Sequence, residues 1–140
     1  MLASTLTLTP GVDTLRLFLH VTAAAVWVGG QFVMLGLLPT ARQLGDGAAQ
    51  KLARAFARLS WPAFALLVIT GAWNMMALQS STKSTGWNVV FSIKMVMVIL
   101  AGLGAWLHGR AKSKGGTAAW GSIAGTASLL ALLGGVMLAG

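Results

Sequence analysis

The chain has 140 residues, of which 56% are hydrophobic and 9% charged; an ordinary soluble domain carries roughly 25% charged residues. Ten Lys and Arg stand against two acidic residues, Asp13 and Asp46, for a net charge of +8. So few charges cannot keep a water-soluble globule dispersed, the basic residues lie between apolar runs rather than on a face that could meet nucleic acid, and the lack of Cys excludes disulfides, thiolate metal sites and thiol nucleophiles.

Four apolar runs are each long enough for the ~30 Å hydrocarbon core, which takes about 20 helical residues. They predict an all-α integral membrane four-helix bundle, a single domain with spans at about Leu15–Leu38, Leu59–Leu78, Trp87–Leu107 and Ala118–Ala139. The first span has no basic segment before it and is too long for a signal-peptide core, so it reads as a span and not a cleavable leader. Pro39 is expected to end it, and Pro62 to occupy the first turn of the second span. In the first connection Lys51, Arg54 and Arg58 recur at i, i+3 and i+7, a basic helical extension of span two expected on anionic lipid at roughly 1 kcal/mol per basic residue. Docking of a soluble partner is the alternative use of that face. A short Ser/Thr/Lys loop, Ser80–Thr85, leads to the third span. The fourth carries Gly121 and Gly125 in GxxxG spacing with Ser128 on the same side, a surface for close packing inside the bundle or across a homodimer.

Basic residues set the expected orientation. Arg42, Lys51, Arg54 and Arg58 lie in the first connection and Arg110, Lys112 and Lys114 in the third; the opposite side holds Arg16 and Lys83. This asymmetry predicts both basic connections inside and both termini outside, N-out and C-out. Trp61, Trp106 and Trp120 would then fall at the inner boundary and Trp87 at the outer.

Polar residues within the spans mark the chemistry. Lys94 is an ionisable group about 10 Å below the outer boundary if span three begins near Trp87, and such groups are functional by default unless they snorkel to the headgroups. His20 enters on the first span at roughly 7–8 Å by the same rise, so the two share a level. It lies on a stripe with Arg16, Ala23, Ala24, Trp27 and Gln31, and Lys94 on one with Met97, Val98, Ala101 and Ala105. Small residues below both groups would admit a flat ligand or a neighbouring helix; the plainer reading of His20 is a ring bonded to a carbonyl. His108 ends span three more than 20 Å from His20 by the same rise and cannot share a metal with it. Met75, Met76, Met95, Met97 and Met137 lie in the outer halves of their spans, and thioethers with an imidazole suit Cu(I), although Met is also ordinary apolar filler. With no carboxylate in the bilayer and no Ser/His/Asp set, neither an acid proton relay nor a hydrolase is available, and redox chemistry would belong to a bound cofactor or substrate.

The first span reads His20-x2-Ala23-x3-Trp27-x-Gly29-Gly30 and resembles the opening helix of the copper resistance D (CopD) family. The third, from Trp87 through Ile93-Lys94-Met95 to His108, is similar to the matching helix of the HemJ-type protoporphyrinogen oxidases, with Gly71 and Trp73 a weaker echo in the second. The resemblance covers about two-thirds of the chain on some eight positions. It implies a b-type haem between spans one and three, with His20 as axial ligand, Lys94 as second iron ligand or charge partner, Arg16 meeting a propionate and Trp27 lining the porphyrin. Leu37-Leu38-Pro39-Thr40 departs from the HemJ-type pattern, lacking its aromatic and its adjacent Arg, and many CopD proteins have about twice as many helices.

Three functions follow as expectations. The first is a haem b protein of the bacterial inner (plasma) membrane, a haem-dependent oxidoreductase that transfers electrons or oxidises a quinol or porphyrin-type substrate. The second is a CopD-type copper transporter with His20, Met75, Met76, Met95 and Met97 along a Cu(I) path. The third is a structural subunit of a membrane complex.

Overall fold

The computed structural model describes residues 11–78 and 83–140, so half of the Ser80–Thr85 loop, residues 80–82, lies outside the described residues. Four helices form: α1 (Val12–Gln43), α2 (Ala48–Leu78), α3 (Thr85–Arg110) and α4 (Lys114–Ala139). Each is long and apolar enough to cross a membrane. Lipid supplies no partner for a bare N–H or C=O, so runs of this composition close their hydrogen bonds within one helix. The outer surface is apolar: Phe18, Leu35, Ile69 and Ile99 stand 63–67% exposed. Such a surface needs lipid around it.

Chain punctuation differs from expectation at both prolines. α1 continues past Pro39 for four residues, to Gln43. Proline's fixed φ suits a helix, and the one bond it removes, to the Leu35 carbonyl, falls near the end of the bundle, where headgroup water can serve. The turn that follows ends the helix: Gly45, Asp46 and Gly47 all have positive φ, at 68°, 45° and 68°. Pro62 lies inside α2 rather than in its first turn, because the basic stretch is one continuous helix with the second span from Ala48 onward. Lys51, Arg54 and Arg58 are exposed on that extension, while Leu52 and Phe56 turn inward.

The bundle is two hairpins. In the first, α1 and α2 pack through aromatics: Trp27 lies 4.5 Å from Phe64 and 5.8 Å from Trp61, centroid to centroid. Phe56 covers Gly30. This cluster sets Trp61 at the level of Trp27. In the second, α3 and α4 meet almost backbone to backbone. A Cβ on Gly104 would stand 3.0 Å from the Ala124 nitrogen and 3.2 Å from the Trp120 carbonyl oxygen. Ala101, Ala124 and Ala127 are buried beside that contact. Where lipid is as apolar as the core, small residues of this kind drive helix association by van der Waals contact.

The hairpins join through a polar knot. α1 widens into a π-helical turn at Ala25–Gly29, which puts Trp27 deep in the bundle at 5% exposure. Trp27 Nε1 donates to Ser128 Oγ of α4 at 2.9 Å, and Ser128 Oγ donates to the Ala124 carbonyl at 2.7 Å. Gln31 Nε2 donates to the Trp27 carbonyl at 3.1 Å and to Ser128 Oγ at 3.2 Å. A π turn leaves the α ladder short of a donor, and Gln31 supplies one. Within the chain the GxxxG surface is used for packing: Gly121 faces His108, Gly125 faces Gln31 and Ser128 holds Trp27.

Candidate functional site

Antiparallel packing of α1 on α2 sets His20 against Thr70, and the polar side chains of the spans collect around that pair, at the end of the bundle that carries both termini. His20 Nδ1 lies 2.7 Å from Thr70 Oγ1. Thr70 is 1% exposed, and its hydroxyl donates to the Leu66 carbonyl at 2.6 Å, the usual back-bond of a helical Thr. With its one proton committed there, Thr70 Oγ1 can only accept, so Nδ1 carries the His20 proton. Nε2 therefore holds a lone pair, and no described residue bonds to it. Gly71 lies alongside: a Cβ there would stand 3.7 Å from Cε1, the atom bonded to Nε2. Any larger side chain would begin to cover that nitrogen.

Lys94 reaches the same layer from α3. It is half-buried and makes no hydrogen bond or ion pair among the described residues. It packs beside Gly134 and Gly135, six and seven residues from Ser128 along α4, as His20 stands seven residues from Trp27, the partner of Ser128. Two successive glycines of α4 shape its path: a Cβ on Gly134 would be 3.2 Å from Lys94 Cβ, and one on Gly135 would be 3.1 Å from Nζ. Either substitution would force the Lys stem aside.

One turn nearer the termini sit Arg16 on α1 and Asn74 on α2, four residues from His20 and Thr70 respectively. Arg16 is buried, and its Nη1 pairs with Asp13 Oδ1 at 2.9 Å, while Asp13 itself is largely exposed. Arg16 Nε and Asn74 Oδ1 are buried and have no hydrogen-bond partner among the described residues. Arg16 is thus already charge-compensated, and Lys94 is the cation of this layer that lacks a counter-ion. Trp27, seven residues below His20, has its N–H committed to Ser128 and forms an aromatic wall with Phe64 and Trp61.

Sequence reasoning found His20, Lys94 and Arg16 but missed Thr70 and Asn74. Their signal was available, since both are polar residues four apart within an apolar span, the spacing of one helix face. The remaining candidates lie elsewhere. His108 clips α3 to α4 at the opposite end, Nδ1 donating to the Thr117 carbonyl at 2.7 Å with its ring over Gly121. Met75, Met76 and Met137 are 40%, 64% and 59% exposed. Met95 is half-buried, and Met97 lines a shallow groove with Ser122, Thr126 and Leu130 between α3 and α4. Among the described residues no three His, Asp or Glu side chains gather as a metal site would require.

Thr70 provides a direct check on the His20 geometry. In Thr70→Val the side-chain shape is kept and the acceptor for Nδ1–H is lost. Orienting partners of this kind usually contribute about 10–100-fold in metal affinity. For a ferric porphyrin held at Nε2, the expected result is a protein that folds normally and binds it roughly that much more weakly, measured by titration in detergent. Unchanged affinity would show that the Thr70 bond does not set the ring.

No protein-family model matches the chain, no curated protein matches it and no solved structure does; its likeness to the CopD and HemJ-type families rests on the residues quoted above.

Proposed function

We propose that this is a multi-pass inner-membrane protein, N-out and C-out, that holds one b-type haem through His20 near the outer leaflet. Electron transfer or oxidation of a lipophilic substrate, a quinol or porphyrinogen, is its proposed work. The observation that carries the reading is the bonded Nδ1 of His20, with an Nε2 that no described residue bonds. A metal-ligating imidazole characteristically commits its other ring nitrogen to a hydrogen-bond acceptor, as here.

The residues present fit a haem in two further respects. Lys94 is a half-buried cation with no carboxylate partner, and the propionates of a haem would supply the missing negative charge. Phe64, half-buried against Trp27, offers apolar surface below the ligand. When bound, the group would supply one-electron chemistry. This chain's residues would bind and orient it: His20 at the iron, Lys94 at the iron or a propionate, Thr70 fixing the ring. Arg16, held by Asp13, fits a positioning role beside the site better than that of sole propionate partner. A Cu(I) path has less support, because Met75, Met76 and Met137 stand at the outer surface.

The test is an ultraviolet–visible spectrum of detergent-purified protein, oxidised and dithionite-reduced, with iron and copper measured on the same sample. A Soret band that shifts and sharpens on reduction, with stoichiometric iron, is expected. In Lys94→Ala the band should shift position if Lys94 is a ligand, or fall in occupancy if it meets a propionate. A colourless protein expressed with ample haem would overturn the reading; co-purifying copper would then favour the transporter, and neither metal the structural subunit.

A further inference from the structure

The other end of the bundle poses a charge problem. The two connections there hold seven basic residues and a single carboxylate, Asp46. Among the described residues the one ion pair is Arg16–Asp13, at the opposite end. The counter-charge must therefore come from outside the chain.

Helix register shows where it is most needed. Trp61 of α2 packs on Trp27, and Trp27 bonds Ser128, close to the middle of the 26-residue α4. That contact fixes the level of Trp61 near the middle of the span. Arg58 lies three residues before Trp61, about 4.5 Å along the helix, while Trp120, a boundary aromatic of α4, lies about 12 Å below Ser128. The Arg58 backbone is thus inside the apolar layer, and its side chain is exposed to lipid. Arg54, one turn further on, comes close to the level of Trp120, and Lys51 passes it. Cα–Cβ bonds tilt toward a helix N-terminus, which for α2 is the basic end. Arg58 accordingly leans outward along the helix toward the head of Arg54, on one face and with no carboxylate beside them. A bare guanidinium facing acyl chains is costly unless it reaches, or draws in, an anion. Two such forks at the headgroup level match the oxygens of a phosphate.

We propose that Arg58 and Arg54, with Lys51 behind them, form a binding site for the phosphate of an anionic phospholipid. The site lies some three to five helical turns from the His20 layer along α2 and is independent of any cofactor there. The face expected from sequence to rest on a lipid surface thus becomes a site within the leaflet, centred on the deepest arginine.

The full chain, purified in mild detergent and exchanged into equimolar phosphatidylglycerol and phosphatidylcholine, should retain phosphatidylglycerol preferentially when analysed by native mass spectrometry. Arg58→Gln should lower the retained phosphatidylglycerol by roughly fivefold, the weight of one basic residue at a charged membrane surface. The paired control Lys112→Gln with Lys114→Gln removes more charge from the same end and should leave retention within about twofold of the parent, the scale of one weak contact. Because Arg58 is exposed, the variant should keep the parent's thermal unfolding midpoint. Equal retention of both lipids, no loss in Arg58→Gln, or an equal loss in the paired control would each overturn the site, the last by showing that only the net charge of that end matters.

Discussion

His20→Ala should leave the protein folded and without haem, its Soret absorbance and iron stoichiometry falling to the level of an unloaded sample. The effect is expected to be near total because the axial imidazole is the contact by which this chain would hold iron directly, and because His20 sits where a small replacement is tolerated. Its ring is half-buried, and its hydrogen bond goes to a Thr hydroxyl that already has a second partner in the Leu66 carbonyl. Removing the ring therefore leaves Thr70 satisfied, and the loss of one partly buried side chain costs about 1–3 kcal/mol, less than a typical total stability. His108→Ala is the matching control. That ring clips α3 to α4 at the far end, so its loss should reduce stability slightly and leave the spectrum unchanged. Haem at full occupancy in His20→Ala would remove His20 from the site. Loss in both variants would point instead to a general failure of the bundle.

Gly104→Ala should be among the most destabilising single-methyl changes in the chain. A Cβ at this position meets the Ala124 nitrogen at 3.0 Å, its Cα at 3.2 Å and the Trp120 carbonyl oxygen at 3.2 Å. All three are backbone atoms, which cannot swing away as a side chain can, so α3 and α4 must separate. Overpacking of this kind typically costs about 1–3 kcal/mol, against which the better helix propensity of Ala returns at most about 1 kcal/mol. Gly36→Ala is the control, since nothing lies within 4 Å of a Cβ there; it should be neutral or slightly stabilising. Denaturant titration in mixed micelles, followed by Trp fluorescence, would order the two. An unshifted midpoint for Gly104→Ala would mean that the hairpin is looser than this contact implies. The separation should also reach the site, because Lys94 is positioned by Gly134 and Gly135 across the same pair of helices.

Much of this architecture is written in composition and spacing. A lipid solvent allows few solutions, so four apolar runs become four helices whatever their neighbours do. The rise of a helix is fixed, so depth arithmetic alone placed His20 and Lys94 at one level, and helix register sets each about two turns from the Trp27–Ser128 bond. The inward stripe of Arg16, Ala23 and Trp27 followed from the same periodicity. Tertiary structure decided what periodicity cannot know, namely which face of which helix lies opposite. Thr70 and Asn74 become site residues because α2 packs antiparallel on α1 in one particular register. Trp61 packs against Trp27 and Phe64, and Gly121 meets the His108 ring. The π turn at Ala25–Gly29 and the helix running on through Pro39 depend on Gln31 and on the end of the bundle to satisfy the backbone groups they release. Sequence reasoning put His20 and Lys94 at one depth; packing determined that the His20 Nδ1–H donates to the Thr70 hydroxyl and that Nε2 has no partner among the described residues, because a tautomer is fixed by a partner and that partner lies fifty residues away.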